Sequence, residues 1–169
     1  MTSATENEQG QQRDAVLQAH GQNPAVAALQ AKLPKAVLDA QFNLGELTLT
    51  VAREEIVNAC RTVQSAGFNF MSDLTCVDWY PNHPRFQVTY HLLSMSLKQR
   101  VRLCVMVPEG DPSVDSITSV WPAANFYERE VFDLFGVRFG GHPNLRRLLL
   151  PDEFQGNPLR KDFPVEGYR

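Results

Sequence analysis

The sequence predicts an α+β protein: a two-layer sandwich of a mostly antiparallel sheet with helices, followed by an extended C-terminal tail. Three observations point there. Runs rich in Val, Leu, Thr and Tyr alternate in hydropathy between brief polar breaks, most clearly in Leu47-Thr48-Leu49-Thr50-Val51. Arg53 to Ala66 instead places Ile56, Val57, Cys60 and Val63 at helical spacing. Beyond Gly136, the prolines Pro143, Pro151, Pro158 and Pro164, with Gly140, Gly141, Gly156 and Gly167, leave little room for long helices or central strands.

Taken in order, residues 1–23 are rich in Gln, Glu, Asn, Ser and Thr and are expected to form a disordered leader, since they bury too little apolar surface to offset ordering. Ala25 to Leu33 reads as a short helix opened by Pro24 and stopped before Pro34. Lys35 to Val51 reads as two strands around Asn43-Leu44-Gly45-Glu46. The helix from Arg53 to Ala66 ends where Gly67 supplies a left-handed cap. Leu74 to Trp79, Arg85 to Ser94 and Gln99 to Val107 follow as strands, broken by Pro81-Asn82-His83-Pro84 and by a turn near Lys98. Two later helices are expected, Asp115 to Val120 and Ala123 to Phe135, separated by Pro122. The domain thus spans 24–136 as β-β-α-β-β-β plus helices. The tail, 137–169, keeps Phe139, Leu145, Leu148, Leu149, Leu150, Phe154, Leu159, Phe163 and Tyr168, too much apolar content for a free linker, and is expected to run over a surface that buries them.

At 169 residues with a hydrophobic fraction of 43%, the chain is long enough to bury a core without disulfides or metals. A net charge of -3 gives no global basic field, so nucleic-acid binding is not expected. No apolar run approaches the roughly 18 residues of a membrane span, so no direct membrane insertion is expected. Cys60, Cys76 and Cys104 are dispersed, without Cys-x-x-Cys or a His at ligand spacing, and read as buried free thiols. His20, His83, His91 and His142 are equally scattered. No phosphate-binding glycine motif and no nucleophile elbow is present.

Charge and aromatic bulk concentrate in Glu128-Arg129-Glu130-Val131-Phe132-Asp133-Leu134-Phe135-Gly136. A helix here is apolar over more than half its circumference, so either this domain covers it fully or another protein does. Glu128, Glu130 and Asp133 with Arg129 and His142 can be drawn as an acid/base site. An ion-pair network is the stronger reading: Arg129 and Asp133 stand i, i+4, and Glu128 and Glu130 are in reach of Arg146, Arg147, Arg160 or Lys161. Helical phase puts Glu130 between Phe126 and Leu134, where it is expected to be desolvated and paired.

Trp121 to Asp162 resembles the signature region of the C-subunit family of the proton-pumping NADH:quinone oxidoreductase, respiratory complex I. The matching residues are Glu128-Arg129-Glu130, Asp133-Leu134-Phe135-Gly136, Gly141-His142-Pro143, Leu145-Arg146-Arg147 and Pro158-Leu159-Arg160-Lys161-Asp162-Phe163-Pro164. Asn157 stands where the family usually has His, and Phe126 where Trp is common. The resemblance implies a structural subunit of the hydrophilic arm, part of an enzyme that passes electrons from NADH to quinone with proton translocation. It implies no catalytic, cofactor-binding or metal residue in this chain. FMN, iron–sulfur clusters and quinone would sit in partner subunits. The chain, ending without a fused D subunit, would dock beside the D, B and I subunits on the cytoplasmic side of a bacterial inner membrane. Glu128, Arg129, Glu130, Asp133, Gly136, His142, Pro143, Arg146, Arg147, Arg160, Lys161 and Asp162 would form the signature and interface. The alternative is a homologous subunit of a membrane-bound hydrogenase or another complex I-like assembly.

Overall fold

The computed structural model describes residues 2–167, with side chains described from Gly10 onward; Met1, Arg169 and the tail's expected Tyr168 lie outside the described residues. Strands β1 (Val37–Asn43) and β2 (Glu46–Val51) form a hairpin that turns at Leu44 and Gly45 with φ of 52° and 81°. Two positive φ values make the tight turn whose twist matches that of the strands. Strict alternation in β2 buries Leu47, Leu49 and Val51. A short 3-10 turn, Arg53–Glu55, leads into α3 (Ile56–Ser65), which sends Ile56, Ala59, Cys60 and Val63 into the core and ends at Gly67 with φ 102°. Full burial of a side chain such as Ile56 contributes about 2 kcal/mol.

Strands β3 (Phe70–Asp78), β4 (Phe86–Ser94) and β5 (Gln99–Val107) pair antiparallel in succession, as short breaks require. The sheet order is β1-β2-β5-β4-β3, which makes the β2–β5 ladder parallel, Leu47 to Thr50 running beside Val101 to Cys104. Helix α2 (Pro24–Lys32), capped by the Asn23 side chain on the Ala25 N–H at 2.9 Å, buries Ala25, Val26 and Leu29. The buried apolar residues of α2, α3 and α4 (Ala124–Phe135) share one continuous core with buried residues of the sheet. Trp121 is buried, whereas Trp79 and Tyr80 stand half-exposed beside the β3–β4 loop.

Two expectations are corrected. The segment read as a disordered leader carries helix α1 (Thr2–Ala19). Leu17 is buried, Val16 packs on the core, and the His20 ring lies 4.2 Å from that of Phe42 in β1. Ala, Gln, Glu and Arg are good helix formers, and a two-residue apolar anchor is invisible in an average composition. The expected helix from Asp115 to Val120 is also absent. Ser113–Asp115 forms β6, paired in parallel with β7 (Arg138–Gly140), and the Val120 and Trp121 N–H groups close a turn on the Ile117 carbonyl. Ser and Thr compete for backbone bonds there, and the strand's partner lies far along the chain.

Candidate functional site

Helix α4 and the tail carry the signature residues, and the structure gives each a definite place. Glu128 projects from α4 toward the core with Ala124, Val131 and Phe135, and is fully buried. Its Oε2 accepts from Ser116 Oγ at 2.6 Å and its Oε1 from the Ile117 N–H at 2.7 Å. Burial pushes the carboxyl up to about 7, against the opposing pull of those two bonds. His142 Nδ1 accepts from the Asn144 N–H at 3.0 Å, while Nε2 lies 3.1 Å from the Asn125 carbonyl and 3.9 Å from Glu128 Oε2. A carbonyl can only accept, so Nε2 carries the hydrogen and the ring clasps the Gly-Gly-His-Pro turn to the start of α4. Pro143 is exposed in that turn.

Asp133 is the second anchor and is also fully buried. Its Oδ2 accepts three consecutive N–H groups, those of Leu148, Leu149 and Leu150, at 3.0, 2.8 and 2.9 Å, and its Oδ1 accepts Arg147 Nη1 at 2.6 Å. Burial alone would raise this carboxyl; the backbone donors and Arg147 overcome it and hold it below the ordinary range. Arg147 continues to the carbonyls of Phe154 and Gly156, at 2.9 and 3.2 Å. Arg129 donates to the carbonyls of Arg146 and Arg147 at 3.2 and 3.0 Å, so tail residues 146–150 lie along one side of α4. The Arg146 residue itself is exposed.

Gly136 ends α4 with φ 74°, a left-handed cap. A Cβ there would stand 2.6 Å from Asn157 Oδ1 and 2.7 Å from Arg160 Nη2, so glycine is demanded by both conformation and space. Asn157 Nδ2 donates to the Asp133 carbonyl at 2.9 Å and Arg160 Nε to the Phe135 carbonyl at 2.6 Å, satisfying the free carbonyls of the helix end with one cation among the donors.

A third anchor joins the tail to the sheet. Arg85 is fully buried and grips Asp78 with two parallel bonds, Nε to Oδ1 at 2.9 Å and Nη2 to Oδ2 at 2.8 Å. It also donates to Asp162 Oδ2 in the tail at 3.0 Å and to Glu109 Oε1, and its guanidinium lies about 5 Å over the Tyr80 and Phe86 rings. Burial would raise the Asp78 carboxyl, but Arg85 and the N–H groups of Lys161 and Tyr80 hold it well below the ordinary range. The hydrogen bond from Arg85 lowers Asp162 as well. Lys161 contributes its backbone here and is otherwise exposed.

Three sequence expectations change. Glu130 is exposed, because at ~100° per residue it lies about 200° around the helix from Glu128, which takes the buried position. Arg129 and Asp133 do not pair, since the tail offers Asp133 Arg147 and three N–H groups and offers Arg129 two carbonyls. Arg147, Arg160 and Asp162, expected at an interface, make hydrogen bonds within the chain. Sequence reasoning missed Asp78, Arg85, Glu109, Ser116 and the capping role of Asn157. The signal available was opposite charge at the two ends of a Pro-rich break, Asp78 closing β3 and Arg85 opening onto β4.

The buried carboxylates are met by fixed donors, and among the described residues no group of three His, Cys, Asp or Glu side chains is placed to hold a metal. Cys60, Cys76 and Cys104 are buried and unpaired, and burial pushes the Cys76 thiol up to about 12. These contacts define an α+β module whose charged residues fasten an extended tail across one helix. Residues 49–169 match the family described as the respiratory-chain NADH dehydrogenase, 30 kDa subunit. The C subunit of the NADH-quinone oxidoreductase of Geobacter sulfurreducens is 46% identical over 147 residues, covering 86% of this chain and 91% of that protein. The solved trypsin-resistant fragment (1–134) of Nqo5 matches with a TM-score of 0.65 at 35% identity, over 72% of this chain and 99% of that one. A chain of the membrane-bound sulfane sulfur reductase, an archaeal respiratory membrane complex, matches with a TM-score of 0.74 at 25% identity, over 86% of each. The chain belongs to the 30 kDa subunit family of the respiratory-chain NADH dehydrogenase.

Proposed function

We propose that the chain is a scaffold subunit of the hydrophilic arm of an NADH:quinone oxidoreductase, docking beside the D, B and I subunits. FMN, iron–sulfur clusters and quinone belong to partner subunits, and the arm sits on the cytoplasmic face of a bacterial inner membrane. The observation that carries this reading is the family match over 49–169, within which the signature residues Glu128, Arg129, Asp133, Arg147, Arg160 and Asp162 make internal fastenings. No helix among the described residues is long and apolar enough to cross a membrane, consistent with a peripheral place. The likeness to the sulfane sulfur reductase chain favours a second reading, a homologous subunit of another complex I-like assembly. Affinity purification through this chain, followed by mass spectrometry of what accompanies it, tests both. Recovery of NADH-input subunits together with the quinone-site subunit supports the first reading. Recovery of the quinone-site subunit without NADH-input subunits supports the second, and recovery of neither refutes both.

A further inference from the structure

Helix α4 is covered by the core and by the tail. Ala124, Glu128, Val131 and Phe135 face the core, and tail residues 146–150 lie beside Arg129 and Asp133. Phe126 and Glu130, about 40° apart around the helix, make up the open strip, and Leu134, about 40° further round, borders it with its side chain packed against the core. Phe126 is 62% exposed, Glu130 is exposed and Leu134 is half-buried. The strip continues onto the tail, because the Leu159 N–H bonds the Leu134 carbonyl at 3.1 Å and Leu159 is 51% exposed. Glu130 makes no ion pair or hydrogen bond among the described residues. Its neighbour Arg129 donates to tail carbonyls and lies 6.0 Å over the Phe126 ring, which leaves the rest of that ring exposed.

We propose that this strip receives a segment of a neighbouring subunit that presents one Lys or Arg side chain to Glu130, with apolar side chains meeting Phe126 on one side and Leu159 on the other. The inference rests on the reading of the chain as part of a larger assembly, and adds the face used and the chemistry of what sits on it. Charge complementarity selects the occupant. A carboxylate set between apolar groups and left without an internal partner gains most from a cation delivered at contact, where water is excluded. A wholly apolar segment would bury Glu130 unpaired, which is costly. A second copy of this chain placed about a two-fold axis through the strip would bring two Glu130 carboxylates together, which like-charge repulsion opposes. The large exposed aromatic at one end is the type of residue on which interface energy concentrates.

The test uses the assembled complex, purified through a different hydrophilic subunit, with wild-type chain or Glu130→Arg, Glu130→Gln or Phe126→Ser. These residues are exposed, so circular dichroism of each free variant should match wild type. Glu130→Arg is expected to lower the amount of this chain in the complex about 10-fold, Phe126→Ser comparably and Glu130→Gln about 3-fold, with a weaker dependence on salt than wild type. In parallel, benzoylphenylalanine replaces Phe126 in the assembled complex and is photo-activated. The expected adduct joins a neighbouring subunit through a peptide with Lys or Arg within a few residues of the link. Normal assembly of Glu130→Arg, no adduct, an adduct to a second copy, or an adduct to a peptide without a basic residue would each overturn the proposal. If wild-type chain assembles while these results fail, only this inference falls; if wild-type chain does not accompany the other hydrophilic subunits, the functional reading falls with it.

Discussion

Replacing Glu128 by Gln isolates a buried carboxyl whose proton affinity the fold raises. The ordinary value is 4.5 and the folded value about 7. At ~1.36 kcal/mol for each tenfold change in proton affinity, that difference corresponds to about 3 kcal/mol. The folded chain holds this proton more tightly than the unfolded chain does, so the group's contribution is fully present below pH about 4.5 and is lost as the pH rises through about 7. Gln has the same shape and no charge to lose. Its carbonyl accepts from the Ile117 N–H as Oε1 now does, and its amide donates to Ser116 Oγ, which is 2.9 Å from Thr118 Oγ1 and is free to turn its own hydrogen there. Wild type and Glu128→Gln should therefore be about equally stable near pH 4, with the variant gaining on wild type to about 3 kcal/mol above pH 7. Urea unfolding of both proteins at half-unit intervals from pH 4 to 8 reads this difference, and other titrating groups cancel because both chains carry them. Parallel stability curves across that range would refute the assignment of Glu128 as the carboxyl strained by burial.

Arg85→Ala should destabilise the fold by about 3–5 kcal/mol, because Asp78 is left buried without its cation; denaturant unfolding checks it, and Arg85→Lys should recover little because a point charge cannot reproduce the parallel pair. Asp133→Asn should cost about 2 kcal/mol and loosen residues 146–150, since an amide oxygen accepts those N–H groups more weakly than a carboxylate; faster proteolysis within that stretch is the readout. Gly136→Ala should cost about 1–2 kcal/mol from the left-handed backbone alone, with a further loss from the crowding of Asn157 and Arg160, measured by thermal unfolding. Glu130→Ala should stay within about 0.5 kcal/mol of wild type in the isolated chain, in contrast to Glu128→Ala.

The reach of sequence reasoning follows the distance over which each cause acts. Strand β5 is expected over Gln99 to Val107 and lies there, β4 and α2 begin and end within a residue or so of expectation, and Gly67 caps the helix that leads into it. Alternation, helical spacing and Gly or Pro punctuation are relations among near neighbours, so the chain itself carries them. The signature residues that mark the family are legible for the same reason. What those residues touch is not. Glu128 and Glu130 stand two places apart on a helix apolar around most of its girth, and only the position of the sheet decides which is buried. The three N–H groups on Asp133 come from the tail, and Arg85 meets Asp162 across 77 residues. The parallel β2–β5 ladder and the β6–β7 pair likewise join segments remote in sequence. Such contacts form because desolvated charge must find a partner somewhere in the folded chain, and which partner it finds is settled by packing in three dimensions rather than by spacing along one.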